Sequence, residues 1–213
     1  MEEILPELVQ WSAYHEGISR DVFSAYELRS GTLIDPMEPP EGLEAVARLR
    51  EPERIVLTNR HHYRHAQRYV ERFGCPVLCH EAGLYQFEGG VPDVQGFRFD
   101  QQLAERVRAL ELAAICPEET TLLLELAGGV LCFGDGVTRD VRGSLAFMPD
   151  RLLGESPAAV RAGLSRNLTR MLEEDFDALL FAHAQPVLGG GRALLSELIA
   201  GEPSGRALQG SED

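Results

Sequence analysis

The sequence predicts an α+β protein in which two mixed β-sheets lie back to back between outer helices. Three observations lead there. Short apolar, β-branched runs such as Ile55-Val56-Leu57 recur through both halves of the chain, at strand length. Some are joined by tight glycine turns, which gives antiparallel meanders, and others flank a helical pattern, which gives a parallel crossover. No internal repeat period points to a solenoid instead.

Taken in order, residues 7–12 and 21–29 read as strands, the second running through Val22, Phe23, Ala25, Tyr26 and Leu28. Trp11 is expected to be a core aromatic. Ser30-Gly31 reverses the chain into a strand at 32–34, Asp35-Pro36 ends it, and Pro39-Pro40 forbids an immediate helix. Leu43, Val46, Ala47 and Leu49 have helical spacing, and a strand follows at 54–57. A helix from near His62 to Phe73, stopped by Gly74, and a strand at 76–79 complete a parallel crossover unit. Residues 81–87 read as a short helix and 88–96 as a loop.

The second half opens with strands at 107–115 and 121–126, a Gly128-Gly129 hairpin turn, and a strand at 130–133 that runs into Gly134-Asp135-Gly136. Residues 143–149 look irregular. Pro157 suits the first turn of a helix reaching 174, with Val160, Leu164, Leu168, Met171 and Leu172 on one face. A buried strand at 178–182 ends at His183, and three glycines at 189–191 open a last helix to 199. One domain is expected over 1–200, followed by a disordered polar tail at 201–213.

The net charge of −14 argues against nucleic acid and anionic membranes as partners. Residues 1–10 are acidic and lack the apolar segment of a signal peptide, and no apolar run approaches the ~20 residues that span a bilayer. Cys75, Cys79, Cys116 and Cys132 sit in or beside strand-like segments without CxxC pairing, so buried thiols in a reducing cytoplasm are expected. The remaining partner expectations are a small-molecule ligand or substrate and a homodimer, the latter from apolar loop segments such as 145–149.

The densest chemistry lies at 54–65, RIVLTNRHHYRH. His61, His62 and His65 follow the strand at 54–57 directly, at the carboxyl end where open α/β sheets place ligands. Leu33-Ile34-Asp35-Pro36, this His-rich stretch, Phe133-Gly134-Asp135 and the strand ending at His183 come in an order that resembles the metallo-β-lactamase superfamily over residues 9–199. That resemblance implies a four-layer αββα sandwich with a hydrolytic binuclear zinc centre at one edge of the sheets.

The family motif, Thr-His-x-His-x-Asp-His, is heavily altered here. Aligned on Thr58, its first His is Asn59, its second is His61, its Asp is Tyr63 and its last His is Arg64. The mid-chain metal histidine has no counterpart before Thr120, where the chain reads Ala114-Ile115-Cys116-Pro117-Glu118-Glu119. The resemblance leaves His61, Asp135 and His183 as metal ligands, with Asp135 and His183 as catalytic groups and Asn59, His62, Tyr63 and Arg64 as ligand-binding neighbours.

Two readings stay open. One is a hydrolase of a small ester or thioester with a reduced site holding one zinc or other divalent metal. The other is a metal-free relative that binds a small molecule or a protein, in which Arg64 replaces the lost cation and pairs with Asp135. A further metal arrangement would use His61 and His65 on one helical face, joined by His62, Cys116 or Glu119. Three further features read as bland: Glu118-Glu119 as solvated acids, the glycines at 189–191 as a permissive turn rather than an anion site, and Asn59 as a hydrogen-bonding residue of the site loop.

Overall fold

A computed structural model describes residues 1–90, 94–140 and 142–201. The first sheet contains seven strands in sequential order: β1 (Glu2–Leu5), β2 (Leu8–His15), β3 (Arg20–Glu27), β4 (Thr32–Ile34), β5 (Arg54–Val56), β6 (Val77–His80) and β7 (Val94–Phe97). Pairing is antiparallel from β1 to β4 and parallel from β4 to β7. The helices α1 (Leu43–Leu49) and α2 (Ala66–Phe73) make the crossovers into β5 and β6.

The second sheet is built from β8 (Gln102–Ala104), β9 (Val107–Glu111), β10 (Thr120–Leu124), β11 (Val130–Phe133) and β14 (Ala178–Phe181). The strands β8 to β11 form an antiparallel meander, and β14 joins β11 in parallel after crossing back through α3 (Pro157–Met171). A small hairpin of β12 (Val137–Arg139) and β13 (Leu145–Phe147) precedes α3, and α4 (Gly191–Gly201) follows β14.

Side-chain alternation on the strands sorts the apolar residues into three layers. Ala25, Ile34 and Val56 of the first sheet meet Leu122, Leu124, Val130, Cys132 and Leu180 of the second between the sheets. Outward-facing Leu131, Phe133, Leu179 and Phe181 pack under Leu164, Leu168 and Met171 of α3 and Leu195 of α4. On the other side, Ile55, Leu57 and Val77 take Val46 of α1 and Ala66 and Tyr69 of α2. Burying each such side chain contributes about 1.5–3 kcal/mol. The result is the αββα sandwich. Trp11 is in the core, its indole N–H donating to the Met37 carbonyl at 2.9 Å.

Several element boundaries differ from the sequence reading. Val94–Phe97 and Leu145–Phe147 are strands where a loop and an irregular segment were expected, because each gains a backbone partner, β6 and β12 respectively, that is distant or weakly patterned in sequence. The helix expected from His62 begins at Ala66; residues Arg60–Tyr63 form a separate 3-10 turn. Gly74 does end it, in the left-handed conformation. The expected disordered tail lies, past Gly201, outside the described residues, as do positions 91–93 of the expected 88–96 loop and position 141.

Candidate functional site

The carboxyl ends of β4, β5, β11 and β14 and the amino end of β10 meet at one edge of the sandwich. Each delivers a polar side chain. Asp35 follows β4 at a positive φ of 47°, a conformation that aspartate tolerates better than most residues. Thr58 and Asn59 follow β5. Asn59 caps the next turn, its side chain accepting the His61 N–H at 2.9 Å. That turn swings His62 inward, where it is buried, and leaves His61 exposed.

Asp35 is the anchor. Its Oδ1 accepts the Thr58 amide at 2.8 Å, and its Oδ2 accepts the Thr58 hydroxyl at 2.6 Å and faces His62 Nδ1 at 2.8 Å. The other His62 nitrogen, Nε2, lies 3.4 Å from Asp135 Oδ1, and His183 Nε2 lies 2.9 Å from the same oxygen. Asn59 donates to Asp135 Oδ2 at 3.0 Å. Two imidazoles thus converge on one carboxylate oxygen, and one donor atom from each of His62, Asp135 and His183 falls within 4.8 Å of the others. The side chains of His62 and His183 are 6% and 9% exposed against 26% for Asp135, so the cluster opens on the aspartate's side.

The loop carrying Asp135 is fixed from behind by Glu119. Its Oε1 accepts the amides of Asp135 at 3.0 Å and Gly136 at 2.5 Å. A Cβ on Gly134 would come within 2.6 Å of the Thr58 hydroxyl oxygen, so this glycine permits the close approach of the two site strands. Glu118 is buried as well and pairs with Arg60. Neither acid is solvated, contrary to the sequence expectation, since both are folded inward at the start of β10.

Arg64 departs from expectation too. It makes no ion pair with Asp135; its Nη1 donates to the backbone carbonyls of Phe23 at 2.7 Å and Asp35 at 2.8 Å, tying β3 to β4. Its backbone, at φ 44° and ψ −117°, lies in a sparsely populated region that costs about 1–3 kcal/mol and is held only by its surroundings. It is His62 that provides the positive charge between Asp35 and Asp135.

Burial works against a charge on His62, but the carboxylates of Asp35 and Asp135 outweigh it and hold its pKa up at about 9. Burial would raise both aspartates, yet His62 draws each well below the usual carboxylate range, helped at Asp35 by Arg64 and Thr58 and at Asp135 by His183. Burial pulls His183 down despite its bond to Asp135. Neutral His183 therefore donates through Nε2–H, and its buried Nδ1 has no partner among the described residues. Burial and the nearby Asp135 charge push Glu119 up to about 8, against the two amides it accepts.

Of the sequence candidates, the structure brings together Asn59, His62, Asp135 and His183. His61 is replaced by His62 in the convergent set, because the 3-10 turn after Asn59 inverts which of two adjacent histidines points inward. Tyr63 is removed from the site: its hydroxyl donates to Gln67 at 2.9 Å and its ring packs against Phe87, on the outer face of the first sheet. The His61/His65 pairing is also excluded. Residues 61–65 are not α-helical, and His65 Nδ1 accepts the Glu38 amide at 3.0 Å. Asp35 was missed as a site residue, and Glu119, named only as a possible metal ligand, instead holds the Asp135 loop. The Asp-Pro step after a strand was the available signal for Asp35, and the adjacent acids Glu118-Glu119 before a strand were the signal for Glu119. At 189–191, the amides of Gly190 and Gly191 already bond to Asp177, in keeping with a turn.

Tetrahedral ligands about 2.1 Å from a zinc ion stand roughly 3.4 Å from one another; the His62 edge at Asp135 Oδ1 has that length at 3.4 Å, and the His183 edge, now a 2.9 Å hydrogen bond, would open slightly around an ion. His62 also has the carboxylate behind its other nitrogen that metal-binding imidazoles usually have. The donor set fits one metal ion. Glu119 and Cys116 are not part of it, which leaves a second ion without enough ligands among the described residues.

No family model and no curated protein matches the sequence. Solved structures do. A metallo-β-lactamase from Erythrobacter litoralis matches with a TM-score of 0.68 at 17% identity, over 93% of this chain and 95% of that one. A metallo-β-lactamase family protein from Thermus thermophilus matches with a TM-score of 0.63 at 18% identity, over 93% and 80%. A third, TTHA1623 in a di-iron-bound form, matches at 0.60 and 20% identity, over 88% and 98%. The chain has the metallo-β-lactamase fold.

Proposed function

We propose that this metallo-β-lactamase-fold chain is a divergent member of that superfamily, a hydrolase with a reduced, single-metal site held by His62, Asp135 and His183, acting on a small ester- or thioester-type substrate. The observation that supports this reading is the convergence of two imidazole Nε2 atoms on Asp135 Oδ1, with Asp35 fixing the remote nitrogen of His62. A bound divalent ion there would lower the pKa of a water ligand to about 7 and so supply hydroxide at neutral pH. The chain's own residues do the rest. Asn59 holds Asp135 Oδ2, which keeps Oδ1 turned to the histidines, and Glu119 fixes the loop behind it. Metal binding requires His62 to give up the proton it holds between two carboxylates.

The metal-free alternative draws support from that same proton: with His62 charged, Asp35 and Asp135 are already neutralised. Metal content of untagged protein, before and after zinc or manganese loading, separates the two. About one ion per chain, lost in His62→Ala and His183→Ala but kept in His61→Ala, is the expected result. No ion under either loading, or retention in His62→Ala, sinks the metal reading and leaves a binding module.

A cytoplasmic location is part of the same proposal. It is supported by the four free thiols. Among the described residues, no helix is long and apolar enough to cross a membrane.

A further inference from the structure

The site opens into a cleft of about 540 Å³, within the range of small-molecule pockets. Its charge is opposite to that of the protein. The chain carries a net −14, yet among the described residues the only acid in the cleft wall is Asp135, which is engaged by His62, His183 and Asn59. Three arginines line it: Arg20, Arg64 and Arg151. Arg20 reaches across to the His183 carbonyl at 3.5 Å, which sets its guanidinium beside the candidate metal ligands.

Neither Arg20 nor Arg151 forms an ion pair among the described residues. Most other arginines of this acidic surface do; even Asp150, next to Arg151, is taken by Arg161. Arg64 is spent on the Phe23 and Asp35 carbonyls, but its enclosed Nη2 has no acceptor. Between the arginines the wall is apolar. Ile18 and Leu152 are 48% and 49% exposed at the mouth, with Ile115 and Met148 alongside. Two exposed aliphatic residues beside two guanidiniums without ion pairs among the described residues form a surface with an apolar and a cationic half-site.

We infer that the cleft takes an amphipathic organic anion: an acyl or aryl body against Ile18, Ile115, Met148 and Leu152, and a carboxylate, sulfonate or phosphate group held by Arg20 and Arg151. This rests on the reading of the cleft as the substrate site and adds the substrate's charge and polarity. Planar guanidiniums recognise such oxyanions bidentately. Inside a protein whose remaining surface repels anions, they also select where an anion docks.

Calorimetric titration with hexanesulfonate, a poor metal ligand, against neutral hexanamide tests the inference without relying on turnover. Hexanesulfonate is expected to bind at least about tenfold more tightly, with an advantage that shrinks as salt rises. The Arg20→Ala/Arg151→Ala double variant, altered only at exposed positions, should abolish that advantage while leaving hexanamide binding unchanged. Equal binding of the two probes, an unchanged advantage in the double variant, or no binding of hexanesulfonate up to about 10 mM overturns the inference. If the sulfonate result holds but neither metal nor esterase activity is found, the hydrolase reading fails alone and the cleft is an anion-binding pocket.

Discussion

Asp35→Asn is the most informative single substitution, because Asp35 is what keeps His62 charged. A free imidazole titrates near 6.5, and His62 in the fold near 9. At about 1.4 kcal/mol for each tenfold change in proton affinity, the charged state contributes at most about 3 kcal/mol to stability. Its sign follows from the raised value. The contribution is fully present below pH 6.5 and is lost as pH rises through 9. Asparagine keeps an acceptor for the Thr58 amide and tolerates the positive φ, but it removes the charge. Burial and Arg64 then drive His62 towards neutrality.

Urea denaturation of chelator-treated protein at several pH values reads this directly. The variant should be less stable than wild type by up to about 3 kcal/mol near pH 6.5, since Asp135 retains part of the pull on His62, a drop in Tm of at most about 6–12 °C, with the gap closing as pH approaches 9. Glu119 also titrates over part of this range, with its pKa raised to about 8 and lowered in part by the His62 charge, so the two proteins are compared in a Glu119→Gln background. A gap that stays constant with pH, or one below about 0.5 kcal/mol, refutes the charged His62.

Arg64→Ala should cost about 2–4 kcal/mol in the same assay, because two carbonyls lose a charged donor and a long side chain leaves the joint between β3 and β4; a loss within about 0.5 kcal/mol contradicts that role. Glu119→Gln should be close to neutral at or below pH 4.5, where the carboxyl is protonated both folded and unfolded and the amide oxygen can still accept from Asp135 and Gly136, and more stable than wild type by up to about 3 kcal/mol at pH 7. It should also remove the part of the stability loss that wild type suffers between pH 4.5 and 8, and an unchanged pH profile contradicts a protonated Glu119.

The layers of the fold were legible because they rest on local patterns: apolar runs of strand length, a Pro-led amphipathic helix, and glycine turns. Val94–Phe97 was not, since Val-Gln-Gly-Phe has little β character by itself and is a strand only because β6 offers an edge. The site divides in the same way. Asp135 and His183 end strands that their own sequences define, so their position at the sheet edge followed from strand assignment. The identity of the inward histidine depended instead on the rotation of a single turn.

Matching the chain to a motif by spacing assumes that the backbone after Thr58 follows the family's path, which puts His61 inside. Here Asn59 caps a 3-10 turn and Arg64 takes an unusual backbone conformation, so the side chain one residue later enters the site. Once inside, His62 needs a countercharge, and the one it meets is Asp35, brought in by the neighbouring parallel strand. Three of these changes have a compensating feature elsewhere. The lost histidine at Asn59 is answered by a hydrogen bond to Asp135, the displaced imidazole by Asp35, and the missing mid-chain ligand by Glu119 holding the aspartate loop from below. A buried carboxylate left charged and unpaired costs several kcal/mol. Asp35 and Asp135 avoid that cost by sharing the charge of His62, whereas the buried Glu119, which forms no ion pair among the described residues, avoids it through a pKa raised to about 8.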